Sequence, residues 1–113
     1  MKRGTIVLTP FPFTDLSGNR VRPALVISRS DRKDVDLMIT FITNDTGKAL
    51  GPSELLIETT HQDLARTGLK LNSVIRLDKL VTVDSHILLG SLGELSEELI
   101  RGAIACLTHA LDL

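Results

Sequence analysis

Apolar positions along this chain fall in short alternating or clustered runs until the C-terminus, where the period becomes helical. Thr5-Ile6-Val7-Leu8-Thr9 and Ala24-Leu25-Val26-Ile27-Ser28 are rich in β-branched and apolar residues and bounded by Gly, Pro and polar clusters, so both predict strands. Over residues 36–43, period-two counting puts Leu37, Ile39, Phe41 and Thr43 on one face of a third strand, ended by the turn-formers Asn44, Asp45 and Gly47. Glu54 to Glu58 encloses Leu55-Leu56-Ile57 and predicts a fourth strand. His61 to Arg66 then fits one short helical turn closed by Gly68. Ser73 to Val83 alternates loosely, with Val74, Ile75, Leu77, Leu80, Val81 and Val83 apolar, and Ile87-Leu88-Leu89-Gly90 fits a final short strand. After Ser96, a residue suited to an N-cap, Glu97 and Glu98 complement the positive end of a helix dipole. Leu99, Ile100, Ala103, Ile104, Leu107 and Leu111 form one apolar stripe behind them. The pattern predicts a mainly β body, a small sheet or barrel, with one amphipathic helix packed on it.

With 113 residues the chain has room for one domain, expected to span 1–113, and no internal repeat or linker divides it. No apolar run approaches the roughly 18 residues needed to cross a bilayer, so no membrane association is expected. Met1-Lys2-Arg3-Gly4 leads straight into strand-like sequence without an apolar signal region, which predicts a cytoplasmic location. Cys106 is the only cysteine, which excludes an intrachain disulfide and an all-cysteine metal site. His61, His86 and His109 lack metal-ligand spacing, and no metal or other cofactor is expected.

The net charge of -1 hides an asymmetry. Residues 1–33 hold seven cations (Lys2, Arg3, Arg20, Arg22, Arg29, Arg32, Lys33) against two acids, Asp15 and Asp31, whereas the rest holds six cations against twelve acids. One face could therefore attract an anion, although ordinary solvated charge is the competing reading.

Between the first two strands, residues 10–22 form a connection longer than a usual hairpin loop. Pro10 and Pro12 stiffen its start, and Ser17-Gly18-Asn19 supplies a turn. Arg20 and Arg22 lie where the chain re-enters the sheet, and Arg22 precedes Pro23, which biases it toward extended backbone.

Thr5-Ile6-Val7, Pro10-Phe11-Pro12-Phe13-Thr14-Asp15 and Arg22-Pro23-Ala24-Leu25-Val26-Ile27-Ser28, followed in order by Ile42-Thr43 and Ser73-Val74-Ile75-Arg76-Leu77-Asp78-Lys79-Leu80, resemble the successive blocks of MazF/PemK toxins. The resemblance implies an SH3-like small β-barrel with a C-terminal helix, a homodimer, and sequence-selective cleavage of single-stranded RNA by the toxin of a type II toxin–antitoxin system. A cognate antitoxin is the implied protein partner. Carried over by position, the family's catalytic arginine falls on Arg22 and its catalytic threonine on Thr43. Thr5 stands where many members have Asp, which affects a turn, and Lys79 stands where some well-known members have Gln, which bears on RNA contacts, so the recognised sequence is not carried over from any relative.

Metal-free RNA cleavage uses the neighbouring 2′-hydroxyl as nucleophile, so the protein aligns it and stabilises charge on the phosphorane. A guanidinium can grip two phosphate oxygens and is a poor base, which assigns Arg22 chiefly electrostatic stabilisation. The Thr43 hydroxyl can donate to a phosphate oxygen, its alternative being a strand-end threonine that caps a turn. Arg20, Phe13, Asn19 and Lys79 complete the RNA-binding candidates. The competing readings are a solvated Arg20, phenylalanines Phe11 and Phe13 that anchor the loop in the core, and Asp78 with Lys79 as a surface pair. Cys106 reads as a small core residue. Two other functions fit the same barrel: a CcdB-like toxin that binds a protein such as gyrase, and a non-catalytic RNA-binding barrel.

Overall fold

The structure, a computed structural model, describes residues 1–11, 20–29, 36–47 and 50–113. The strands are β1 (Thr5–Phe11), β2 (Arg20–Val26), β3 (Asp36–Thr43), β4 (Glu54–Ile57), β5 (Ser73–Asp84) and β6 (Gly90–Glu94). They form one antiparallel sheet in the order β4-β5-β3-β2-β1-β6, curled into a half-barrel. Helix α1 (Leu64–Thr67) lies against β6, and α2 (Glu97–Ala110) packs on β4 and β5. No described helix is long and apolar enough to cross a membrane.

The apolar runs of β1 and β2 are continuous because the curl buries both of their faces. Ile6, Leu25, Ile42, Ile75 and Leu77 join Ile57, Leu95, Leu99 and Ala103 in a core beneath α2. The alternate residues Val7, Ala24 and Val26 join Leu37, Ile39 and Val83 in a second cluster on the other face. Each such fully buried aliphatic side chain contributes about 1.5–3 kcal/mol relative to exposure. In α2 the Ser96 hydroxyl accepts the Leu99 N–H at 3.4 Å, as its capping role requires. The helix stripe is only partly covered: Leu99 and Ala103 are buried, whereas Ile104 and Leu111 remain exposed.

Two elements differ from the sequence expectation. The short helix begins later, at Leu64, because the Glu58 carbonyl accepts the His61 N–H and the His61 carbonyl accepts the Leu64 N–H, which uses the preceding residues in a turn. It does close at Gly68, whose φ of +74° needs glycine and whose absent Cβ would lie 2.4 Å from the Leu92 carbonyl oxygen. Gly93 is required for the same contact, since a Cβ there would meet the Arg66 carbonyl at 2.1 Å, and so α1 can lie directly on β6. The last strand is Gly90–Glu94 instead of Ile87–Gly90. Asp84 accepts the His86 N–H at 2.8 Å and starts a 3₁₀ turn, Ser85–Ile87, after which Leu89 bonds the Leu8 carbonyl and pairing with β1 begins. The strands flanking the long connection also extend into it, to Phe11 and from Arg20, which leaves residues 12–19 between them.

Candidate functional site

Directly opposed residues of an antiparallel pair project from the same face, so the registers define rows across the sheet. Val7, Ala24, Phe41, Arg76 and Glu54 form one such row from β1 to β4. Its first two members lie in the second apolar cluster, whereas the last three line an open cleft of about 350 Å³. The β2–β3 ladder pairs Val26 with Ile39, Leu25 with Thr40 and Ala24 with Phe41, and the same register continued by two residues sets Arg22 opposite Thr43. Both line the cleft. They occupy the buried cluster's face of the sheet, past the point where apolar residues cover it.

The Thr43 hydroxyl oxygen accepts the Asp45 N–H at 3.1 Å, and the Asp45 carboxylate accepts the Gly47 N–H at 3.2 Å. Thr43 does cap a turn, yet that bond uses a lone pair and leaves its O–H proton free to donate. The opposite wall comes from an irregularity in β5. Register passes from Thr40–Leu80 to Phe41–Arg76, so three β5 residues, Leu77, Asp78 and Lys79, are accommodated in one step of β3. The Thr40 hydroxyl donates to the Arg76 carbonyl, the Leu77 N–H turns to the Ser53 carbonyl at 3.1 Å, and Asp78 and Lys79 are exposed.

Arg76 is half-buried between two carboxylates: its Nε lies 3.3 Å from Glu54 Oε2 and 3.5 Å from Asp78 Oδ1, although neither contact has the angles of a directed hydrogen bond. Glu54 also accepts the Gly51 N–H through Oε1 at 3.3 Å, which ties the start of β4 to the cleft wall. A second cleft, of about 310 Å³, shares Arg22, Ile42 and Thr43 with the first and continues past the strand ends to Lys70, Leu71 and Leu92. Arg22 and Thr43 thus stand where two clefts meet.

Charge pairing separates this region from the rest of the described surface. Lys2 and Arg66 pair with Glu94 at 3.3 and 3.4 Å, Arg101 with Glu97 at 4.0 Å, and Arg3 donates to the Ile27 carbonyl at 3.0 Å. Among the described residues, Arg20, Arg22, Lys70 and Lys79 have no hydrogen-bond or ion-pair partner. Three of these four cations line the two clefts, and the fourth lies two residues along β2.

Of the residues singled out from the sequence, Arg22, Thr43 and Lys79 come together in the cleft. Arg20 is exposed opposite Phe11, outside the lining of both clefts. Phe13 and Asn19 lie outside the described residues. Asp78 pairs with Arg76 and not with Lys79, because the two neighbours point apart at the β5 irregularity. Glu54 and Arg76 were not singled out. The signal was available only as a charged residue interrupting each apolar run, which also describes any half-exposed strand.

His61, Asp63 and Glu98 place one possible ligand atom each within 4.8 Å, which their sequence spacing did not suggest. However, His61 Nδ1 accepts the Asp63 N–H at 3.0 Å, so in the neutral ring the proton is on Nε2, facing Glu98 Oε2 at 3.4 Å. A metal on Nε2 would need the opposite tautomer, with Nδ1 donating. The arrangement is a tie between the 58–64 turn and the first turn of α2. Cys106 packs against the core beneath α2, and burial pushes its thiol pKa up, away from the reactive thiolate.

Residues 2–111 match the family model described as the PemK-like, MazF-like toxin of type II toxin–antitoxin systems. The chain belongs to this family. Its MazF-like fold is shared with an endoribonuclease solved in complex with its cognate antitoxin from a Mycobacterial species, 18% identical with a TM-score of 0.78, covering 100% of this chain and 96% of that one. It is also similar to the Mycobacterium tuberculosis toxin MazF-mt6, with 20% identity, a TM-score of 0.75 and coverage of 96% and 97%. MazF in a MazE–MazF crystal structure from Deinococcus radiodurans gives 18% identity and a TM-score of 0.73, covering 100% and 96%. No curated protein matches the sequence. At these identities the structural likeness carries the MazF-like fold, while the groove's chemistry rests on the side chains described above.

Proposed function

We propose that this protein, as one domain spanning 1–113, is an endoribonuclease toxin that cuts single-stranded RNA sequence-selectively and without metal in the cytoplasm, and that a cognate antitoxin restrains it. The observation that carries this reading is the meeting of Arg22 and Thr43 from adjacent strands, at the junction of two clefts where the side chains of Arg22, Lys70 and Lys79 have no hydrogen-bond or ion-pair partner among the described residues. An unpaired guanidinium between two open grooves suits a phosphodiester with a nucleotide on either side.

In the proposed reaction the 2′-hydroxyl gives up its proton as its oxygen attacks the adjacent phosphorus, the bond to the 5′-oxygen breaks and that oxygen takes up a proton in return, and the products are a 2′,3′-cyclic phosphate and a 5′-hydroxyl. Arg22 faces the non-bridging oxygens and takes up the charge that grows on them, the role a divalent ion fills in metal-dependent nucleases. Thr43, its lone pair held by the Asp45 N–H, donates its O–H to the same phosphate and positions it. Lys79 and Arg20 are assigned to RNA binding beside the reacting phosphate, Phe13 and Asn19 are RNA-binding candidates outside the described residues, and Arg76, anchored by Glu54, adds a second guanidinium to the cleft lining. The antitoxin segment that competes for this groove is acidic with apolar anchors. Leu107 of α2 and the exposed Leu111 that caps it line an open groove with Met38 and Leu80, which supports self-association as a homodimer through that face.

Incubating the purified protein with a long single-stranded RNA and with its DNA copy, each with and without excess EDTA, tests the reading. RNA alone should be cut, EDTA should not stop it, and the fragments should carry 2′,3′-cyclic phosphate ends. Intact RNA under all conditions would favour a protein-binding toxin of the CcdB kind, and cleavage that needs a divalent ion would overturn the metal-free mechanism.

A further inference from the structure

The second cleft opens from Arg22 and Thr43, which line one end of it, while its remaining residues have no part in the chemistry described above. Leu71 is 57% exposed and Leu92 38% exposed, and together with Leu69 they make an apolar shelf along this cleft. Lys70, without a partner among the described residues, lies beside the shelf, and Asn44, which follows Thr43, lies at its inner end. Exposed leucines flanked by free cations are a costly surface to present to water and a suitable one for a ligand that is apolar on its face and anionic along its edge. An unstacked nucleotide has that character. The chain contains no Trp or Tyr, and the lining of this cleft holds no aromatic residue, so its leucines are the apolar surface it offers a base.

The shelf is also preformed. The Thr67 hydroxyl donates to the Leu64 carbonyl at 2.6 Å and accepts the Leu69 N–H at 3.1 Å. Asn72 Oδ1 accepts the Thr59 N–H at 2.7 Å, and the Ser73 hydroxyl donates to the Leu71 carbonyl at 2.8 Å. Gly68 presses against the Leu92 backbone. A turn held at both ends loses little conformational freedom when a ligand settles on it. The volume, about 310 Å³, is at the small end of ligand pockets and suits a single nucleotide better than a folded peptide.

From this we infer that the Leu69–Leu71–Leu92 shelf is a specificity subsite for the nucleotide on one side of the cleaved bond, the base lying on the leucines, its edge read by Asn44, and its outer phosphate held by Lys70. The inference rests on the endoribonuclease reading and adds a division of labour to it. The cleft of Arg76 and Lys79 receives the nucleotide on one side of Arg22, and the leucine shelf receives its neighbour on the other.

The test compares the wild type with Leu71→Ser, Leu71→Met and Lys70→Ala on an RNA pool randomised around many sites, with both fragment ends sequenced and KM and kcat measured on one good substrate. Both residues are exposed, and neither side chain has a hydrogen-bond or ion-pair partner among the described residues, so the variants should fold. Leu71→Ser should relax base preference at one position on one side of the cut and raise KM about three- to tenfold, with the loss in kcat/KM arising in KM. Leu71→Met should retain the preference because the shelf stays apolar. Lys70→Ala should raise KM for all sequences alike, since phosphate contacts carry no base information. Unchanged preference and KM in Leu71→Ser, from an enzyme that cuts RNA normally, would overturn the subsite alone. Normal cutting by Leu71→Ser combined with lost inhibition by the cognate antitoxin would likewise overturn it, and mark the shelf as a protein-docking face. A wild type that neither cuts RNA nor binds a fully 2′-O-methylated decamer by fluorescence anisotropy would remove the endoribonuclease reading, and the subsite with it.

Discussion

Two basic regions of this molecule are built on opposite principles. Around Glu94, Lys2 and Arg66 converge on one carboxylate and tie the N-terminal segment and α1 to strand β6. Around Arg22, Lys70 and Lys79 line open grooves and Arg20 lies two residues along β2, and among the described residues none of these side chains has a hydrogen-bond or ion-pair partner. The first region's charges are satisfied inside the fold and contribute to holding it. Those of the second have no partner among the described residues and are available to an anion, which is how a chain of net charge -1 can present a local anion-binding surface. Count and composition would not distinguish the two. Pairing does.

The largest effect should come from Arg22→Ala. Removing a donor aimed at transition-state charge costs about 2.7–4 kcal/mol, a hundred- to a thousandfold in kcat. Because the Arg22 side chain has no hydrogen-bond or ion-pair partner among the described residues, the variant's melting temperature should stay close to wild type. Single-turnover cleavage alongside thermal denaturation checks both halves, and near-normal cutting by the folded variant would show that the groove's charge is not catalytic.

Thr43→Val tests the same site from the residue that is partnered. It keeps the β-branched shape for β3 and removes the hydroxyl, so activity should fall by about tenfold to a hundredfold, less than for a lost charge. Stability should also drop, by about 0.5–1.5 kcal/mol, since the Asp45 N–H loses its acceptor. Losing activity with no change in stability would contradict the capping bond.

Lys79→Ala should have a smaller effect, visible chiefly in salt dependence. For single-stranded RNA each neutralised phosphate contributes about 0.7 to the slope of log affinity against log salt, so the slope should fall by about that amount. Filter binding of an uncleavable RNA at several salt concentrations provides the measurement. Lys2→Ala, drawn from the paired region, should leave the slope unchanged.

The smallest effect belongs to Glu94. The hydrogen bond from the Lys2 ammonium, then that ammonium's charge and the contact with Arg66, hold the Glu94 pKa below the usual carboxylate value. With the folded pKa depressed, its contribution to stability is present above the unfolded-state pKa and is lost as pH falls through the folded one. Melting curves of wild type and Glu94→Gln should therefore differ slightly at neutral pH and converge in acid. RNA cleavage should be the same in both, and a loss of cleavage in Glu94→Gln would erase the distinction between the two regions.

Much of this protein was determined locally by its sequence. Period-two runs located most strands, Ser96 with Glu97 and Glu98 marked the start of α2, and Gly68 marked the end of α1, because caps and alternation depend on neighbours a few residues away. The order of blocks around Arg22-Pro23 and Ile42-Thr43 was enough to resemble a family, and the family match over residues 2–111 agrees. What only the tertiary structure decided depends on long-range register. Leu37, Ile39, Phe41 and Thr43 share a face, as counted, but the curl of the sheet buries the first two and opens the last two into a cleft. Ile87 and Leu88 look like a strand, yet Asp84 turns the chain before β1 can receive it. Arg76 comes to rest between Glu54 and Asp78 because an irregularity in β5 shifts its partner on β3, whereas the Lys70 side chain has no ion-pair partner among the described residues. Alternation states which side of a strand a residue takes. Only the pairing of distant strands states what waits on that side.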